Sequence, residues 1–419
     1  MQYDIIIVGS GIAGLYSAYL ITKLAPNVSF VILEKNRKKW IGGRTNNDSF
    51  YGTNIVTGAG IARKNKDKLL LRLLDELEIK YSEFKVNPYY STELNITGIN
   101  AIMQELKKNN RNAKGTFAQF ARNLLSDKKY NDFVISSGYH DYEHADANDV
   151  MTRYGMEDNA CCWTGIAVNW KQLINALCLF ISNKIKTSQN VVNITKTTQN
   201  KFIIETATGK KYFSNKVILA TTIASLRQLF PLPIYDSVQG QPFIRVYGKF
   251  NRDSAEIMKK YIKGYIIVPG PLQKVIHMSN GVYMIAYSDG ANANYLKNYI
   301  KNNVINRELF RDLLIKALGI IEPLQLLSIK GYYWDIGTHY YSPLSDKYKT
   351  REEFIREAQH PIPKGHNGHN GHNVPYGHNG HNVLVVGEVV SLHQGWVNGA
   401  LESVQAVLTK KWINSDTIL

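Results

Sequence analysis

Apolar positions along the chain fall into two rhythms. Ile5-Ile6-Ile7-Val8 and Phe30-Val31-Ile32-Leu33 are short unbroken runs, with the length and continuity of parallel strands buried on both faces. Asn190 to Ile194, Lys201 to Thr206 and Lys216 to Ala220 read as further short strands, with a hairpin turn at Ala207-Thr208-Gly209-Lys210. The second rhythm is helical: apolar residues recur on one face across Lys68 to Leu77 and across Trp170 to Ser182. At Leu229-Phe230-Pro231-Leu232-Pro233 two close prolines forbid a helix or central strand, so the chain leaves one domain there. Beyond that point Phe243 to Phe250 and Gly281 to Tyr287 are aromatic-rich strands, followed by a helix over Leu309 to Leu318 and a strand over Leu327 to Tyr333. The stretch from Val86 to about Asp158 is polar and is assigned to the second domain.

The first strand runs straight into Gly9-Ser10-Gly11-Ile12-Ala13-Gly14 and then into a helix starting near Leu15. Gly9 permits the tight turn, Gly11 lets the backbone approach a pyrophosphate held on the free amides of the helix, and Gly14 lets helix and strand pack closely. The second strand ends in Glu34, roughly 20 residues after the last glycine, where a carboxylate meets ribose hydroxyls. Strand, glycine turn, helix and carboxylate together predict a dinucleotide site.

Two further stretches distinguish the kind of dinucleotide. Ile41-Gly42-Gly43-Arg44-Thr45 follows the ribose-binding strand, and the tail carries Val385-Val386-Gly387-Glu388 and Gln394-Gly395-Trp396-Val397-Asn398-Gly399-Ala400. These stretches resemble the flavin-containing amine oxidases, the monoamine and polyamine oxidase group. Asn169 to Leu177 and Lys216 to Thr222 resemble the same family, and Thr57-Gly58-Ala59-Gly60 resembles its turn beside the flavin ring, without the acidic residue that often precedes it. The resemblance implies an α/β, two-domain FAD-linked amine-oxidase-like fold with a Rossmann-type FAD domain and a mixed α+β substrate domain. Residues 1–85, 159–230 and 346–419 then compose the FAD domain, and 86–158 and 231–345 the substrate domain.

The resemblance also implies a site. FAD, held noncovalently, would contact Gly9, Gly11, Gly14, Glu34, Gly43, Arg44, Gly60, Val192, Gly387, Glu388 and Val397. Trp396 and Tyr340 would wall the reactive face as an aromatic pair, and Arg245 stands where most members have a lysine. Arginine keeps the charge and the donors but offers no proton-transfer pKa. His339 falls loosely where covalently flavinylated members have cysteine. The implied reaction is hydride removal from a carbon bearing nitrogen, with flavin N5 as acceptor and O2 as the final oxidant. Alternatives on the same fold are an amino-acid oxidase, a desaturase, a protoporphyrinogen oxidase, or a noncatalytic interaction protein.

Length and composition fit this reading. A chain of 419 residues exceeds one core, and 44% hydrophobic content fills two. No apolar span is long enough to cross a bilayer, and the first apolar run is consumed by the glycine turn rather than a leader. The formal charge of +16 is spread over scattered lysines without a nucleic-acid-binding pattern, so it reads as solvated surface charge. The Asn, Lys, Ile and Tyr excess matches an AT-rich coding bias, compatible with a viral origin. Three cysteines suit a reducing compartment such as the cytoplasm. The Gly-His-Asn repeat within 365–382 lacks carboxylates or cysteines to fix a metal geometry, and reads as a dispensable surface loop with no metal site. Oligomeric state has no signal in the sequence.

Overall fold

The computed structural model describes the chain except for residues 95–98, 155–161, 182, 198, 200, 362–381 and 416–419. The Gly-His-Asn repeat therefore lies almost wholly outside the described residues. Two large sheets organise the rest.

In the first sheet, strand Gln2–Val8 lies between Phe30–Leu33 and Lys211–Leu219, parallel to both, and Val383–Val385 adds in parallel beside Lys211–Leu219. Val191–Lys196 and Phe202–Thr206 extend one edge as an antiparallel pair, and Ile185–Lys186 closes the other. Successive side chains of a strand face opposite ways, so a strand covered on both sides needs an unbroken apolar run. Ile5, Ile7 and Ile32 pack under helices Ile12–Leu24, Trp170–Phe180 and Val397–Val407. Ile6, Val8, Val31 and Leu33 face the opposite core with Ile204, Tyr212 and Phe354.

The second sheet runs in the order Leu326–Tyr341, Val238–Phe250, Val282–Asp289, Lys274–His277, Tyr265–Ile267 and Pro88–Tyr90. Strand Val238–Phe250 pairs antiparallel with Leu326–Tyr341 from Val238 opposite Tyr341 to Phe250 opposite Leu326. Ile244, Val246 and Phe250 pack with Met258, Phe310 and Leu314 on one face. Arg245 and Tyr247 alternate to the other face and reach the first domain, donating to the carbonyls of Gly58 and Val56.

The polar stretch after Val86 holds more structure than its pattern predicts. Helices Phe117–Leu124, Asp127–Ser137 and Ala147–Arg153 enclose Phe117, Phe120, Tyr130, Phe133 and Tyr142. The first of these helices starts on a capping box between Thr116 and Gln119. No helix among the described residues is long and apolar enough to cross a membrane.

Candidate functional site

Glycine geometry shapes the entrance to the site. Gly9 takes φ +102°, and a Cβ on it would fall 2.4 Å from the Ala220 carbonyl oxygen. A Cβ on Gly14 would sit 2.0 Å from the Gly9 oxygen, so Gly14 serves helix-to-strand packing rather than lining the cavity. Gly11 caps helix Ile12–Leu24 without a side-chain bond, lines the cavity, and would meet nothing within 4 Å of an added Cβ. A helix start with uncapped amides and open space before it suits an anion.

Glu34 is buried beside this turn. Its Oε2 accepts the Ser10 N–H at 2.9 Å and the Ser10 hydroxyl at 2.7 Å, while Oε1 accepts the Asn36 N–H at 2.8 Å. The carboxylate thus shapes the glycine turn as well as lining the cavity.

Two distant segments and the following loop close on Glu388. Arg44 Nη1 donates to Glu388 Oε2 at 3.2 Å and to the Gly337 carbonyl at 2.7 Å. The His339 backbone N–H donates to Oε1 at 2.7 Å, the Gly395 N–H donates to the same oxygen at 2.8 Å, and the His339 ring Nδ1 bonds Oε2. Burial alone pushes the Glu388 carboxyl up, but His339, Arg44 and the accepted hydrogen bonds outweigh it and hold the group at about 2.

Between these parts lies one cavity of about 470 Å³ running from the glycine turn to the second sheet. Its walls fit a flavin dinucleotide. Gly43, at φ +58°, and Gly387, at φ +112°, line it with bare backbone, and the Thr221 hydroxyl on its wall is buried with no hydrogen-bond partner. Val397 lines it from the first turn of helix Val397–Val407.

Its inner end is built by the second sheet and the helical block: Phe243, Arg245, Tyr287 and Asp289 from strands, Tyr139 and Asp141 from the block. Arg245 is buried, with Nε donating to the Gly58 carbonyl at 2.9 Å and its guanidinium 4.0 Å from the Tyr287 ring centre. Trp396 also lines the cavity; its indole N–H donates to Asp67 at 2.8 Å and its ring meets Trp170 edge-on.

Several other expected positions fall outside the cavity lining. Tyr340 packs against the helical block and does not line the cavity, because strand Leu326–Tyr341 runs on through it. The aromatic that this strand supplies is Trp334, whose indole N–H donates to the Thr57 carbonyl at 2.7 Å. Val191 lines the cavity in place of Val192, which lies where the pairing register shifts between Val191 and Asn193. Gly58 and Ala59 line it, whereas Gly60 lies behind them, accepting from the Trp170 indole and leaving room for Arg245. His339 does not line the cavity either; it is buried, and its Nε2 accepts the Ile223 N–H at 3.1 Å.

Asp141, Asp289, Thr221 and Tyr139 were not singled out from the sequence. Their sequence signal is faint: Thr221 follows the strand Lys216 to Ala220, and Asp141 sits in an acidic segment whose pattern gives no clear helical period.

Comparison with known proteins agrees with this geometry. Residues 7–77 match the family of NAD(P)-binding Rossmann-like domains. Putrescine oxidase in a structure bound to putrescine superposes with a TM-score of 0.70 at 14% identity, covering 97% of this chain and 98% of that one. The chain has the flavin-containing amine oxidase fold. A double mutant of putrescine oxidase redesigned for cofactor binding gives a TM-score of 0.71 at 14% identity over the same shares of both chains. Among curated protein sequences no relative matches significantly.

Proposed function

We propose that this chain is an FAD-dependent oxidase acting on the C–N bond of an amine. The observation that carries the reading is the single cavity joining the Gly9 turn and the Glu388 clasp to an end lined by aromatics, one arginine and two carboxylates. Bound there, the flavin would supply the hydride acceptor and its return to the oxidised state by O2. The protein's part is to orient the amine, exclude water and set its charge.

Phe243, Tyr287 and Tyr139 suit the first of these tasks, lining the cavity with aromatic rings. Trp396 and Trp334 approach the same cavity from the first domain and from strand Leu326–Tyr341. Arg245 supplies a fixed positive charge whose donors are already directed at Gly58 and Met284. Noncovalent attachment is supported by His339, whose two ring nitrogens are both used in hydrogen bonds.

The test is a visible spectrum of purified protein with flavin counted per chain, followed by detection of hydrogen peroxide and carbonyl product on aerobic incubation with an amine panel. One flavin per chain and peroxide with at least one amine are expected. Colourless protein that takes up no added FAD would overturn the reading.

A further inference from the structure

The inner end of the cavity carries more ionisable chemistry than orientation of an amine requires. Asp141 and Asp289 both line it. Asp289 is fully engaged: Oδ1 accepts from Gln273 Nε2 at 2.9 Å, and Oδ2 accepts the backbone N–H groups of His140 at 2.9 Å and Asp141 at 3.1 Å. Asp141 is not. Its Oδ1 accepts the Tyr154 hydroxyl, and its Oδ2 has no hydrogen-bond donor among the described residues.

Lys274 completes the cluster. It is 1% exposed, its Nζ has no hydrogen-bond partner, and it lies over the ring of Tyr139 and 4.2 Å from the ring centre of Tyr287. Both rings wall the cavity, and Arg245 stacks on Tyr287 as well. A carboxylate with one open oxygen thus sits beside a second, saturated carboxylate, at the end of the cavity walled by Tyr139 and Tyr287.

An alkylamine in water near neutral pH is an ammonium ion, with a pKa of about 10, and an ammonium nitrogen has no lone pair to assist loss of hydride from its carbon. A group in the cavity must take that proton. We propose that Asp141 accepts the proton of the incoming ammonium, so that the amine lies neutral between the aromatic walls; the inference rests on the amine reading above. The step balances: the N–H bond breaks, its electron pair stays on nitrogen, the proton forms an O–H bond on Asp141, and the charges of ammonium and carboxylate cancel. The proton returns to solvent when product leaves.

The surroundings suit the task. Burial and the neighbouring Asp289 raise the Asp141 carboxyl well above the usual carboxylate range, against the lowering pull of Tyr154, Lys274 and His140. A base raised in this way holds a captured proton near neutral pH, where an ordinary surface carboxylate would release it. Asp289 cannot substitute, since its oxygens already receive backbone and side-chain donors.

The test uses the flavin-loaded protein and a probe that cannot be oxidised, an α,α-dimethyl alkylamine, which has no hydrogen on the carbon bearing nitrogen. Calorimetric titration near pH 9 in buffers of different ionisation enthalpy counts protons released on binding. Wild type is expected to release close to none, because the proton moves within the complex. Asp141→Asn is expected to release about one per amine bound, because buffer must take it. In anaerobic reduction by an oxidisable amine, the wild-type rate should rise with pH as Asp141 ionises. Asp141→Asn should lose that limb, Asp141→Glu should restore it, and Tyr154→Phe should move it to higher pH by removing a donor to the ionised carboxylate. An unchanged proton count and pH profile in Asp141→Asn would overturn the proposal. So would a loss confined to diamines, which would make Asp141 a dock for a second ammonium. A wild-type flavin that no amine reduces would end the oxidase reading instead, which keeps the two failures apart.

Discussion

His339 holds Glu388 at both carboxylate oxygens, its backbone N–H on Oε1 and its ring Nδ1 on Oε2. Its ring Nε2 meets the Ile223 N–H at 3.1 Å. Strand Leu326–Tyr341, helix Ile223–Leu229 and the Gly387-Glu388 turn are thereby fixed together, with Arg44 joining them from the opposite side.

Glu388 should therefore govern acid stability. Its folded pKa, about 2, lies below the unfolded value, so its contribution is present above about pH 4.5 and is lost as pH falls toward 2. Glu388→Gln should lower stability at pH 7 by on the order of 3 kcal/mol and flatten the acid limb of urea denaturation midpoints. Flavin retention should fall with it.

Glu34→Ala should cost more than a ribose contact. The carboxylate satisfies the N–H groups of Ser10 and Asn36, and Ser10 is wholly buried, so deletion strands donors inside the turn. A loss of about 1–3 kcal/mol in apoprotein stability is expected, measurable by urea denaturation without flavin.

Lys274→Met should be neutral or stabilising by about 1 kcal/mol. The Nζ is buried with no hydrogen bond, and burial pushes the ammonium well below its ordinary pKa, so folding at neutral pH carries a penalty that methionine lacks. A thermal midpoint that does not fall is the expected result.

Trp396 and Tyr340 should separate cleanly. Trp396→Phe keeps a ring at the cavity but deprives buried Asp67 of the indole donor, costing about 1–2 kcal/mol. Trp396→Ala should also slow flavin reduction by amine. Tyr340→Phe, away from the cavity, should leave the rate of flavin reduction unchanged.

The parts of this molecule legible in the sequence are those whose chemistry is local. Ile5 to Val8 and the Gly9–Gly14 turn declare themselves, because a doubly covered strand needs unbroken apolar residues and a phosphate turn needs glycines at fixed spacing. Strand parity was lost at Val191 and Val192, since two adjacent valines give no sign of which faces inward. Tyr340 was misplaced because nothing in Trp334 to Tyr341 marks how far a strand paired with Val238–Phe250 must run. The Asp141, Asp289 and Lys274 cluster joins a helical block to two strands. Only the fold brings them together, and the block's apolar residues are diluted by charged ones on its solvent faces.

The most direct measurement is anaerobic mixing of the flavin-loaded protein with mono- and diamines while the visible flavin band is followed. Bleaching that saturates with amine concentration and reverses on admitting O2 is the predicted result. A bound flavin that stays oxidised with every amine, yet is reduced by dithionite, would contradict an amine oxidase.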